Sequence, residues 1–200
     1  AGLACVPLAA GTGLLPDPEE AETLITDRTR AIVVASPANP TGAVRDEATL
    51  RELASFGLPL ISDEIYHGIE YERPAVSALE ISDDVYVINS FSKYHSMTGW
   101  RVGWMVVPED HVRSVERLAQ NLFICPPHAS QIAALAAMEC EDELQANLAV
   151  YRANRALMLD GLQTLGRATL GFFERLGRGN LFLLQVLSNL PGMLLRPRLV

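Results

Sequence analysis

Lysine is nearly absent from this 200-residue chain. Of its 16 Lys and Arg residues 15 are arginine, and the only lysine is Lys93, inside "SFSKYHSMTGWR". Cysteine is scarce as well. Cys5, Cys125 and Cys140 are odd in number and show no C-x-x-C spacing. That excludes a disulfide framework and reads as reduced thiols of a cytoplasmic protein, packed as small core hydrophobes. Cys125 and His128 in "CPPH" lack a second pair of ligands, so no metal site is expected. Basic charge is lacking too. A net charge of −8 with no basic stripe opposes binding to nucleic acid. The longest apolar stretch, "LFLLQVLSNLPGMLL", is interrupted by Gln, Ser, Asn and Pro and is too short to span a bilayer. The first residue is not Met, and "AGLACVPL" is no signal peptide, which leads to the expectation of a fragment.

What is present suits a globular chain. About half of the residues are hydrophobic, 49%, and 20% are charged, enough for a real core. Strand-like and helix-like segments alternate. "GLACVPL", "AIVVASP", "PLISDEI", "DDVYVINSFS" and "RVGWMVV" are strand candidates, rich in β-branched residues. "DPEEAETLI" predicts a helix with Asp17 as N-cap, Pro18 in the first turn and Glu20 three residues after the cap. "DEATLRELASFG" predicts a short helix closed by Gly57. "PEDHVRSVERLAQNL" puts Val112, Val115, Leu118, Ala119 and Leu122 on one helical face. "HASQIAALAAMEC" is a further helix. A long one follows over 141–166, with Leu144, Leu148, Tyr151, Met158, Leu162 and Leu165 on one stripe and Gly166 as its stop. Alternation of this kind predicts an α/β fold: a mostly parallel sheet covered by helices on both faces.

Ligands of open α/β sheets bind at the carboxyl ends of the strands. Each buried strand here delivers polar groups at that end. Asn39 follows the first, Asp63 and Tyr66 the second, Ser90 and Lys93 the third, and Arg101 opens the fourth. Singly these are ordinary: "NPTG" is a turn, and an aspartate at a strand end is often a cap. Together they form a chemical set. Taking a lysine out of bulk water favours its neutral amine, the nucleophile of Schiff-base chemistry. An aspartate can pair with a ring nitrogen, Asn and Tyr can bond a phenolic oxygen, and Ser with Arg can clamp a phosphate. Pyridoxal 5'-phosphate needs that combination.

The segments "SPANPTG", "SDEIYHGIEY" and "NSFSKYHSMTGWRVGW" resemble the signature segments of class I/II aminotransferases, the fold-type-I pyridoxal-phosphate enzymes. The resemblance runs from about residue 1 to 166. It implies that residues 1–140 are part of the large cofactor-binding domain, and that 141–200 are an interdomain helix and an incomplete C-terminal small domain. It implies that Lys93 holds the cofactor as an internal aldimine and shuttles the substrate's α-proton. Asp63 would keep the pyridine nitrogen protonated, Asn39 and Tyr66 would contact the phenolic oxygen, and Ser90 with Arg101 would bind the phosphate. Lys93 and Asp63 are then the catalytic pair, and the reaction moves an amino group between an amino acid and a 2-keto acid with ping-pong kinetics. A cytoplasmic homodimer is implied for the complete form, with no partner in nucleic acid or membrane.

Two family features have no counterpart in these residues: an upstream small-residue loop with a ring-stacking aromatic, and the carboxylate-binding arginine of the small domain. Arg196 and Arg198 lie in no matching motif, although "GNLFLLQVLSNL" faintly resembles the small domain's first strand. The expectation is part of an aminotransferase that is catalytic in its complete form, and an incomplete, inactive fragment stands beside that reading for these residues alone. A lyase or synthase on the same scaffold, a cofactor-binding sensor domain of a regulator and an inert remnant are the alternatives. His67 and His95 flank the segments without an assigned role, and Trp100 and Trp104 are expected in packing.

Overall fold

The computed structural model describes residues 4–7 and 17–176, with side chains to residue 165. The chain divides into two units, 1–144 and 145–200, within its last described helix. The first unit holds four strands: β1 (Ile32–Ala35), β2 (Leu60–Asp63), β3 (Val85–Ser90) and β4 (Gly103–Val106). They lie in the order β1-β2-β3-β4. The first three are parallel and β4 is antiparallel. Register aligns Ala35 with Asp63, Asp63 with Ile88, and Ser90 with Gly103. The strand ends that carry the polar set therefore share one edge of the sheet.

Helices α1 (Pro18–Leu24) and α2 (Glu47–Ser55) supply the core with the sheet. Ile32, Val34, Leu60, Val85 and Val87 meet Ala21, Leu50 and Leu53 in one buried cluster. Leu50 and Leu60 are shut off from solvent, and each contributes about 2 kcal/mol by burial. Strand residues alternate between faces. Val33 points away from this core and is 69% exposed, so the second face, expected to be covered, is open at β1 among the described residues.

The predicted cap at Asp17 exists, and Asp46 caps α2 as well. Asp17 Oδ1 accepts from Glu19 N at 3.0 Å, an earlier amide than a capping box uses. Asp46 Oδ1 accepts from Thr49 N at 2.8 Å. The Thr49 backbone and side chain, in that order, hold the Asp46 carboxyl below its ordinary value. An Asp46→Ala chain is expected to lose about 1 kcal/mol of stability. Because the folded carboxyl is the stronger acid, its contribution is full above the ordinary carboxylate range and fades as pH falls through the folded value. Urea unfolding followed by tryptophan fluorescence checks this, since Trp100 and Trp104 both lie in the first unit. The gap between the two chains should be present at neutral pH and shrink in acid.

Helices α3 (Glu109–Leu122), α4 (His128–Ala137) and α5 (Glu141–Leu176) follow. The structure departs from the sequence expectations in several places. Residues 4–7, the described part of the first strand candidate, form no strand; Pro7 has no N–H to give a ladder. The α3 stripe exists but is uncovered among the described residues, with Leu118 61% and Leu122 76% exposed. Gly166 does not stop α5, which runs on to Leu176; a glycine inside a helix costs only about 1 kcal/mol. Cys5 and Cys125 are exposed and Cys140 half-buried, so none is a core hydrophobe. Trp100 and Trp104 are exposed as well, although the Trp104 ring meets Phe91 edge-on at 5.1 Å. Arg196, Arg198 and "GNLFLLQVLSNL" lie outside the described residues. No described helix is long and apolar enough to cross a membrane.

Candidate active site

The carboxyl edge of β1–β3 is built from three connections. After β1, residues 36–45 turn back, and Ser36 Oγ accepts from Arg45 N at 3.0 Å. This turn carries Asn39. After β2, a tight turn over 64–70 carries Tyr66. After β3, residues 91–97 carry Lys93, closed by Ser96 N to Lys93 O and Met97 N to Phe91 O, both 3.0 Å.

Three of the six expected residues meet directly. Asn39 Nδ2 donates to Tyr66 Oη at 3.3 Å. Lys93 Nζ lies 5.4 Å from the centroid of the Tyr66 ring, within cation–π range. Ser90 and Arg101 are joined by a relay. Ser90 Oγ accepts from Ser92 N at 2.9 Å and lies 2.8 Å from Ser92 Oγ and 3.1 Å from the Val102 carbonyl. Thr98 Oγ1 donates to Ser92 O at 2.8 Å, and Arg101 Nη1 donates to Thr98 O at 3.0 Å. Arg101 has φ 54, a left-handed conformation that side chains seldom adopt and that recurs at constrained sites. Asp63 ends β2, half-buried, with Oδ1 accepting from Ile65 N at 3.1 Å. Among the described residues no hydrogen bond joins Asp63 to Lys93, Tyr66 or Ser90.

Several residues at this edge carry structure that their spacing did not announce. Glu64, an acidic side chain directly after Asp63, is only 2% exposed. Its Oε1 accepts from Ala78 N at 2.8 Å and Ser62 Oγ at 3.0 Å, and its Oε2 accepts from Ser77 Oγ at 2.8 Å. The available signal was "SALE", the S-x-x-E of a capping box: Ser77 N also donates to Glu80 Oε1 at 3.0 Å. His67 Nε2 donates to the Ser36 carbonyl at 2.9 Å, tying the β2 turn to the β1 turn. The His95 ring packs on Phe91 at 4.6 Å. Burial pushes the His95 imidazole down in pKa, against the pull of Glu141. Among the described residues no His, Cys, Asp and Glu side chains gather as a metal site.

The family model for aminotransferase class I and II matches residues 3–196. The chain belongs to this family. A valine–pyruvate aminotransferase of Mycobacterium tuberculosis is 50% identical over 145 residues, which are 68% of this chain and 37% of that protein. The crystal structure of a Silicibacter pomeroyi protein assigned as an aminotransferase is 60% identical, with TM-score 0.73, over 80% of this chain and 44% of that one. Aspartate aminotransferase of Thermotoga maritima is 31% identical, with TM-score 0.74, over 80% of this chain and 44% of that one. The chain spans about two-fifths of the length of the curated relatives it matches. Class I and II aminotransferases imply pyridoxal phosphate as cofactor, and the donor set at this edge fits that group. Among the described residues it offers one primary amine without a hydrogen bond, a carboxylate with one oxygen unbonded, a phenol and an amide side by side, and a hydroxyl linked to a guanidinium.

Proposed function

We propose that this chain carries the cofactor-holding residues of a pyridoxal-phosphate-dependent aminotransferase. The observation that supports it most is the Lys93 amine, free of hydrogen bonds among the described residues, over the ring of a tyrosine whose hydroxyl is bonded by Asn39. Bound pyridoxal phosphate supplies an aldehyde that condenses with primary amines and a cationic ring that draws electrons from the α-carbon. Lys93 captures that aldehyde and then moves the proton at the substrate's α-carbon. Arginine cannot replace it, because a guanidinium yields no neutral base in a protein. The Asp63 carboxylate holds the proton on the ring nitrogen by its charge. Tyr66 Oη and Asn39 Nδ2 orient the phenolic oxygen. Ser90 Oγ and the Arg101 fork take the phosphate.

On this reading an amino acid gives its amino group to a 2-keto acid in two half-reactions. Residues 1–140 belong to the large domain, and 141–200 are the interdomain helix and the start of the small one. A cytoplasmic homodimer rests on family likeness alone. Likeness to a valine–pyruvate aminotransferase makes valine and pyruvate the first pair to try. Cofactor-loaded chain with both is expected to form alanine. Ammonia released without an acceptor would point to a lyase. Cofactor held at Lys93 with no reaction toward any amino acid would point to a sensor or an inactive piece.

A further inference from the structure

The turn over 64–70 is pinned from three sides. Glu64 N donates to Ile88 O at 2.8 Å, and its side chain is bonded by Ser77 and Ala78. His67 is bonded to the Ser36 carbonyl. The third side is Gly68, with φ +90, whose amide donates to Glu70 Oε2 at 2.8 Å. A Cβ added at Gly68 would lie 2.8 Å from Cγ and Cδ2 of Tyr94. The Tyr94 ring thus rests on a bare α-carbon, closer than any other residue type permits. Tyr94 is the next residue after Lys93, and Tyr66 is two residues before Gly68. At its far end, Tyr94 Oη donates to Glu141 Oε1 at 3.1 Å, in the first turn of α5.

We propose that Tyr94 is a positioning residue: its ring, seated on Gly68, sets the separation of Lys93 from Tyr66 and so the placement of the amine that captures the cofactor. The inference rests on the reading of Lys93 given above. It assigns the ring, and not the hydroxyl, to this task. A misplacement of about 1 Å at a reacting group can cost on the order of a hundredfold in rate.

The test compares the unaltered chain with Tyr94→Phe, Tyr94→Ala and Gly68→Ala. Each is mixed with pyridoxal phosphate and followed by the visible band, its pH midpoint, and borohydride trapping at Lys93. Tryptophan fluorescence reports whether each variant is folded. Tyr94→Phe keeps the ring and should trap cofactor as the unaltered chain does. Tyr94→Ala and Gly68→Ala should trap roughly tenfold or more slowly while folded, with a displaced pH midpoint. A residue that only stabilised the fold would lower the unfolding midpoint and leave the band and its pH midpoint alone. Normal trapping in folded Gly68→Ala overturns the inference, even if Tyr94→Ala does not fold. So does a loss in Tyr94→Phe equal to that in Tyr94→Ala. No trapping at Lys93 in the unaltered chain overturns the underlying reading, and this inference with it.

Discussion

Exchanging Lys93 for arginine is expected to abolish covalent capture of pyridoxal phosphate and leave the fold in place. The two halves of this result come from different facts. Lys93 is the only lysine in the chain, so no second side-chain amine can substitute. Its side-chain nitrogen takes part in no hydrogen bond among the described residues and lies 5.4 Å from the centroid of the Tyr66 ring. The Lys93→Arg chain places a guanidinium over the same ring, and its unfolding free energy should stay within about 0.5 kcal/mol. What it loses is the amine that condenses with an aldehyde. The measurement pairs a visible spectrum with intact-mass analysis after borohydride. Label should fall to the level of the N-terminal amine alone. A variant that still gains the full label would show that the cofactor is captured elsewhere.

Glu64→Ala is expected to be the most destabilising exchange at this edge, at roughly 3 kcal/mol. The carboxylate is the shared acceptor for Ser62, Ser77 and the Ala78 amide, and none of these has an evident substitute once it is gone. Leaving buried donors unsatisfied costs more than the bonds themselves contribute. Glu64→Gln keeps one acceptor oxygen, and its amide can donate to Ser77 Oγ, so its loss should be about 1 kcal/mol. Urea unfolding read by tryptophan fluorescence separates the two variants. Equal loss in both would mean that the negative charge, not the hydrogen-bond pattern, stabilises the turn. A Glu64→Ala chain as stable as the unaltered one would contradict the network altogether.

The placement of the site was legible because it follows from order along the chain. Asp63 and Ser90 are the last residues of β2 and β3, and Asn39 follows β1, as the strand-end rule requires. The β-branched runs and the cap at Asp17 were legible for the same local reason. What failed to show depends on contacts between distant segments. Spacing put an apolar stripe on α3 but could not say whether anything in these residues covers it. Gly166 looks the same in sequence whether it ends a helix or sits inside one. Glu64 drew no reading, because its partners Ser77 and Ala78 lie thirteen and fourteen residues on. The seat of Tyr94 on Gly68 joins two turns and leaves no periodic mark at all.

The central claim is that Lys93 holds the cofactor, and reductive trapping with peptide mapping tests it most directly. The chain is incubated with pyridoxal phosphate, reduced with borohydride, digested, and the labelled peptide sequenced. The expected result is one side-chain label per chain, in the peptide containing "SFSKYHSMTGWR", on Lys93. A label confined to the N-terminal amine, with Lys93 unmodified in folded chain, would contradict it.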